Sequence, residues 1–263
     1  MKLNQKKIQK MVKNGERLDG RELDEYREIE IIPDFISETA AGSAKVTIGN
    51  TQVVIGLSVS LEEPYSDRPD SGTIVTNAEL APMAHKEYES GPPQEDGVEL
   101  ARVVDRGIRE AEAVDLEELC IKSGEKVMTV FIDAHILNDD GSLIDACSLA
   151  AMTALMTGTL PKYDEETDTL KRDNREREIP LQEEPVTVTA HKINGEIVWD
   201  TTGTEEDAQG SRLTVSINEH GNIVAMQKGE THPFTQQEIM DIVDEAENKT
   251  EKLRKQLETA TGE

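Results

Sequence analysis

The stretch from Arg27 to Leu61 constrains the fold more than any other part of the chain. It reads "REIEII", "SAKVTIG" and "TQVVIGLSVSL", three runs rich in β-branched residues, the last two joined by Gly49-Asn50. A two-residue Gly-Asn link between apolar runs is a hairpin signal, so the chain is expected to open on a largely antiparallel sheet. Another apolar run, "TIVTNAEL", follows the turn-rich "EEPYSDRPDSG", and "ESGPPQEDG" breaks the chain before "ELARVVDRGIRE". Then "EKVMTVFIDAHIL" reads as a strand, "NDDGS" as a turn, and "LIDACSLAAMTALMTG" as a small-residue helix closed by Gly158.

A short basic helix ending near Asn14-Gly15 precedes all of this. Residues 161–184 hold almost nothing apolar and read as a charged linker or excursion. Beyond it lie "PVTVTAHKI", "GEIVWD", "SRLTVSI" and "NIVAMQK", all strand-like. The last helix begins at "TQQE", a capping box with Thr235 at the N-cap, and carries Ile239, Val243, Ala246, Leu253 and Leu257 along one side. Strands, helix, strand, helix, linker, strands and helix predict an α+β protein of two similar lobes and not a doubly wound sheet. The expected boundaries are an N-terminal helix and extension (1–25), a first lobe (26–160), the charged segment (161–184) and a second lobe with the C-terminal helix (185–263).

At 263 residues and 36% hydrophobic content the chain can bury a substantial core. Its charges, 28 basic minus 54 acidic, sum to −26. Charge of that density repels itself, and a salt-rich cytoplasm relieves the repulsion because the Debye length falls to about 3 Å at 1 M salt. The first 20 residues are basic but lack the apolar core of a signal peptide, and no run is long enough to span a bilayer, so a cytoplasmic protein is expected. Cys120 and Cys147 form no CxxC, and the histidines at 85, 135, 191, 220 and 232 form no H-x-x-x-H pair. Neither a disulfide, a zinc site nor any other metal or cofactor is expected. Phosphate-loop, dinucleotide, zinc-protease and serine-hydrolase signatures are absent. Aromatics are 3%, too few for a free-standing RNA-recognition module, and Tyr65, Tyr88 and Trp199 read as core or edge packing.

In "ELARVVDRGIRE", Arg102, Arg106 and Arg109 stand four and three residues apart, within about 60° of one another on a helix. Leu100, Val103, Val104, Gly107, Ile108 and Ala111 fall on the opposite side. The pattern predicts a helix packed by one face and presenting guanidinium groups from the other. Spacing alone leaves two uses open for those arginines. They can hold anions, or they can pair with Glu99, Asp105 and Glu110, which sit three or four residues away.

Four segments carry a resemblance: "LDGRELDEYREIEI", "GSAKVTIGNTQVVIGLSV", "GPPQEDGVELARVVDRGIREAEAVDL" and "SLIDACSLAAMTAL". From about Gly15 to about Lys255 the chain resembles the RNase PH family, and within it the non-catalytic RNase PH-like subunits of the archaeal exosome core. The resemblance implies two βαβ-type lobes with mixed sheets and packing helices. It implies a ring of three heterodimers with a catalytic RNase PH-like sister, topped by RNA-binding cap subunits. Single-stranded RNA would be degraded there from its 3′ end by phosphorolysis, with no membrane or DNA partner.

In such a sister a Gly-Ser-Arg loop opening the helix after the turn holds phosphate, and an aspartate just before a second-lobe strand serves as acid or holds a metal. The matching positions are expected here at Cys147-Ser148-Leu149 and at Gly210, with Asp207 the one nearby carboxyl that could rescue activity. The resemblance therefore implies no catalytic residue and no independent activity. It assigns RNA binding to Arg102, Arg106 and Arg109, with Arg68 a weaker candidate for the ring opening. The alternatives are an active phosphate-dependent 3′-to-5′ exoribonuclease and an acidic interaction protein that has kept only the fold.

Overall fold

A computed structural model describes residues 2–262. Helix α1 (Lys2–Lys13) leads into strands β1 (Ile29–Pro33), β2 (Gly42–Ile48), β3 (Thr51–Glu62) and β4 (Thr73–Leu80). Helix α2 (Glu95–Glu110), β5 (Cys120–Lys122), β6 (Lys126–Asn138) and α3 (Leu143–Met156) complete the first half. The first sheet runs β1-β2-β3-β6-β4, with β5 paired to β6. Ile48 pairs with Thr51 across the Gly49-Asn50 turn, and Gly49 takes the positive φ of +57° that such a turn requires. β4 and β6 are parallel and α2 crosses between them, the βαβ element of the sheet.

The second half holds β7 (Thr159–Asp164), β8 (Thr169–Glu178), β9 (Val186–Ile193), β10 (Glu196–Trp199), α4 (Gly203–Glu206), β11 (Ser211–Ile217), β12 (Ile223–Gly229) and α5 (Gln236–Thr261). Its sheet is antiparallel in the order β10-β9-β11-β12. The capping box at Thr235 and Glu238 starts α5 as expected. Helix α3 is buried on all sides from Asp145 to Leu155, because alanines and other compact residues let the strands and α5 approach it from every direction. One continuous core joins the halves, from Ile55 through Met152 to Val188, Val215 and Leu253. No helix among the described residues is long and apolar enough to cross a membrane.

Three sequence expectations change. The charged segment is largely a two-stranded hairpin, in which Tyr163 pairs with Leu170 and Asp164 with Thr169. It needs little apolar content: Leu160 is buried at its base and Tyr163 and Leu170 pack against the core, while Lys171 Nζ lies 2.5 Å from Asp164 and Tyr163 Oη donates to Asp168 at 2.8 Å. Gly158 does not close α3 in a left-handed turn. It is small because Ile179 and the Ala154 carbonyl press against it. Tyr65 is 66% exposed and packs no core, whereas Trp199 is fully buried.

Gly42 shows how closely α3 lies on the first sheet. A Cβ there would sit 2.4 Å from the Ala154 carbonyl oxygen and 2.7 Å from Gly158 Cα, both backbone. Gly42→Ala is therefore expected to cost about 1–3 kcal/mol by overpacking, read as a lowered urea midpoint at unchanged slope. An unchanged midpoint would mean that α3 shifts freely.

A candidate nucleic-acid interface beside an acidic cleft

Helix α2 starts after Gly91-Pro92-Pro93, with Gln94 at its N-cap and Glu95 and Asp96 in its first turn. Leu100, Val103, Val104, Gly107, Ile108 and Ala111 are all buried, as the periodicity predicts. Gly107 lets the helix lean onto the second sheet: a Cβ there would meet Ser216 Oγ at 3.0 Å and Thr187 Oγ1 at 3.2 Å. The two sheets thus fix which way the polar face of α2 points.

The three arginines on that face are not equivalent. Arg102 is exposed, with no hydrogen bond or ion pair among the described residues. Arg106 is half-buried and donates from Nη1 to Gln227 Oε1 on β12. Together they line a shallow groove of about 420 Å³ with Pro93, Val98 and Gln227. Arg109 is committed elsewhere. Its Nε and Nη2 grip both oxygens of Asp105 at 2.9 Å, and Nη2 also donates to the Ile74 carbonyl at 2.7 Å. The Asp105 hydrogen bonds outweigh partial burial and raise its pKa further. Of the three acidic neighbours, then, only Asp105 pairs with an arginine of this face; Glu99 turns instead to Arg212 on β11, at 2.6 Å. Arg68 lies in the exposed loop before β4.

A larger cleft of about 1150 Å³ opens beside the N-terminal half of α2, bounded by the ends of β4 and β6, the start of α3, and α4. Carboxylates crowd it, among them Asp96, Glu99, Asp133, Asp139, Asp140, Glu206 and Asp207, against Lys86 and Arg212. A phosphate entering here meets like charge on most sides.

The start of α3 decides which residues occupy the phosphate position. Backbone amides can face an anion only where the helix begins. Helix α3 begins at Leu143, with Ser142 at its N-cap in the left-handed region, φ 58°. Cys147, Ser148 and Leu149 are buried a turn further in, their amides inside the helix. The loop expected at 147–149 therefore does not open a helix; the residues that open α3 are Gly141-Ser142-Leu143, with a leucine again in third place. Gly141 is required at this turn, with φ +81° and the Thr201 carbonyl oxygen 2.3 Å from where a Cβ would be. The Ser142 amide is already taken, donating to Glu206 Oε1 at 2.8 Å.

The acid position changes in a similar way. Gly210 packs against the His232 ring, whereas the residue facing the cleft at the start of β11 is Arg212. A guanidinium tied to Glu99 cannot donate a proton at neutral pH. Asp207 lines the cleft as the C-cap of α4, exposed and without a side-chain partner among the described residues. Burial pushes Glu206 up to about 7 and His191 down to about 4, so the imidazole, 2.6 Å from Gln209 Oε1, is neutral. Sequence spacing also missed a surface trio, Glu183, Glu219 and His220, whose ligand atoms lie within 4.8 Å of one another. It unites residues 37 apart, a separation that no short motif spans.

Residues 25–161 match domain 1 of the 3′ exoribonuclease (RNase PH) family, and residues 183–249 match its domain 2. The exosome complex component Rrp42 of Thermococcus gammatolerans is 47% identical over 258 residues, 97% of this chain and 94% of that protein. A solved structure of the Archaeoglobus fulgidus exosome with RNA bound to the active site contains a chain of similar fold. Its TM-score is 0.90 at 42% identity, covering 97% of this chain and 98% of that one. A chain of an archaeal exosome core superposes with a TM-score of 0.86 at 39% identity, covering 98% and 97%.

Proposed function

This chain belongs to the RNase PH family, and on that premise we propose that it is the non-catalytic subunit of an archaeal exosome ring, positioning single-stranded RNA for a catalytic sister. One observation carries the reading. The chain matches exosome Rrp42 proteins over nearly its whole length, while its own cleft has Leu143 and not an arginine at the start of α3, and Arg212 and not a carboxylate at the start of β11. It has no independent catalytic activity. It pairs with the sister in a ring of three heterodimers beneath RNA-binding cap subunits, and it works in a salt-rich cytoplasm, which its charge of −26 suits.

Arg102 and Arg106 are the residues we assign to the RNA backbone. Arg102 is free to pair with phosphate, and Arg106 exchanges only a neutral amide partner to do so. Arg109, held by Asp105, contributes less. A guanidinium fork binds phosphate through two parallel hydrogen bonds that survive screening, whereas a point charge does not.

The test is phosphate-dependent release of nucleoside diphosphates from single-stranded RNA at high salt, by the chain alone and mixed with its sister. Silence alone and activity in the mixture are expected. Arg102→Ala with Arg106→Ala is expected to weaken RNA capture by about 3 kcal/mol, roughly 150-fold, and to flatten the log-affinity against log-salt slope by about 1.4. Lysine at both positions should weaken capture almost as much, and Arg109→Ala should weaken it least. Phosphorolysis by the chain alone would overturn the non-catalytic assignment and make Asp207 the next residue to replace.

A further inference from the structure

Helix α1 is the most basic element of a strongly acidic protein. Its sequence, KLNQKKIQKMVK, has no acidic residue. The helix is firmly docked. Ile8 and Val12 are buried in a small cluster with Ile193, Val198 and Ala208. Gln5 and Gln9 donate to the carbonyls of Asp207 and Ala208 at 2.7 and 3.1 Å, and Asn194 donates to the Gln9 carbonyl at 3.0 Å. These contacts set the inner face against β9 and the end of α4, where Asp207 forms part of the cleft wall.

The outer face carries Lys6, Lys7, Lys10 and Lys13, all exposed and none in an ion pair among the described residues. Six lysines elsewhere, Lys122, Lys126, Lys171, Lys192, Lys249 and Lys255, each hold a carboxylate. With 54 acidic side chains available, four adjacent unpaired lysines on a docked helix leave a concentrated positive field. Lys6, Lys10 and Lys13 fall within about 60° of one another and span about 10 Å along the axis.

We propose that this lysine row is a second RNA-backbone contact, separate from α2, which engages the phosphates of single-stranded RNA as point charges without reading sequence. The proposal rests on the RNA-positioning reading above. The composition of the face favours RNA over an acidic protein. Protein interfaces gain their energy from buried aromatic, aliphatic or arginine anchors, and among residues 4–14 the exposed ones are Asn4, the four lysines and Asn14, none of them such an anchor. Lysine is a compact ammonium on a flexible stem, suited to a backbone of repeating charge and poor at bidentate recognition.

The mechanism predicts a distinct dependence on salt. Three lysine–phosphate contacts contribute about 0.7 × 3, roughly 2, to the slope of log affinity against log salt. Replacing Lys6, Lys7, Lys10 and Lys13 by Gln in the assembled complex is therefore expected to weaken oligouridine binding on the order of 100-fold at 0.1 M salt, fading towards no effect near 1 M. Lysine-to-arginine replacements at the same positions should keep the affinity. The α2 double variant should lose affinity at both salt concentrations, because its contacts are short and bidentate.

Fluorescence anisotropy with labelled oligouridine reads all of these, with thermal melting of each variant as the control for folding. If the lysine variant binds like the parent while the α2 variant is weakened, the α1 contact is overturned and the RNA-positioning role stands. If both bind like the parent, both readings fall. If the lysine variant is folded but no longer joins the ring, the row is a protein-docking face and the proposal is overturned.

Discussion

Asp200→Ala is expected to destabilise the fold by about 3–5 kcal/mol, the scale for removing one partner of a buried ion pair. The Asp200 side chain is completely buried. It accepts the Arg27 backbone N–H at 2.6 Å, Arg27 Nε and Nη2 at 2.9 and 2.6 Å, and Arg21 Nη1 at 2.9 Å. Alanine would strip the buried carboxylate from two guanidinium groups, 9% and 11% exposed, leaving Arg21 only the partly exposed Asp19 and Arg27 only Asp140, at 3.7 Å. It would also have to adopt φ 45°, which aspartate tolerates better. Burial alone would raise the Asp200 pKa, but the hydrogen bonds and charge of Arg27 outweigh it and hold the carboxyl below its ordinary value. A depressed carboxyl stabilises above the ordinary carboxylate range and loses that contribution as pH falls through its folded pKa. The gap between the parent and Asp200→Ala should therefore be widest near pH 7 and shrink below about pH 3. Urea titrations at both pH values measure it. A difference under about 1 kcal/mol at pH 7 would show that the arginines find other partners.

That cluster also shows what a linear sequence reveals and what it hides. "RLDGRELDEYR" marks the family, yet nothing in it says that Arg17 will grip Glu205 at 2.7 Å across 188 positions, or that Arg21 and Arg27 will share Asp200. Local rules worked where the physics is local. The Gly49-Asn50 turn, the Thr235 capping box and the buried stripe of α2 depend on neighbours within four residues, and all three form as read. The charged hairpin is hidden because its few apolar residues, Leu160, Tyr163 and Leu170, are too sparse among charges to read as a strand face. The start of α3 is legible in the turn "NDDGS" before the apolar run, yet the phosphate loop is expected six residues further along, because resemblance within a small-residue run does not fix its register. The arginines of α2 were legible as a face. That Arg109 is engaged while Arg102 is free depends on which way Asp105 and Glu99 turn, and the second sheet decides that for Glu99 through Arg212.

The opposite pH dependence is expected from Asp145, in the first turn of α3 and 2% exposed. Its Oδ2 accepts the Thr189 amide and the Tyr26 hydroxyl, both at 3.1 Å, while Oδ1 has no partner. Burial, reinforced by the nearby charge of Asp200, pushes its pKa up to about 7 despite those hydrogen bonds. The native state thus keeps a proton that the unfolded chain releases near pH 4, so stability falls as pH rises through that window. Moving the release of that proton from near pH 4 to about pH 7 corresponds to about 4 kcal/mol between pH 4 and pH 8. Asparagine keeps the acceptor and the shape and cannot ionise. Asp145→Asn should match the parent near pH 4 and exceed its stability at pH 8 by a few kcal/mol, leaving the fall from Glu206, which the depressed His191 opposes below about pH 6.5. Equal slopes in the two proteins between pH 5 and pH 8 would mean that Asp145 is ionised in the fold. The two aspartates lie close enough to raise each other's cost of ionisation, and only Asp200 has arginines. Arg27 and Arg21 keep the buried Asp200 ionised while Asp145 keeps its proton, and the protein should be most stable in mildly acidic solution, where one is neutral and the other ionised.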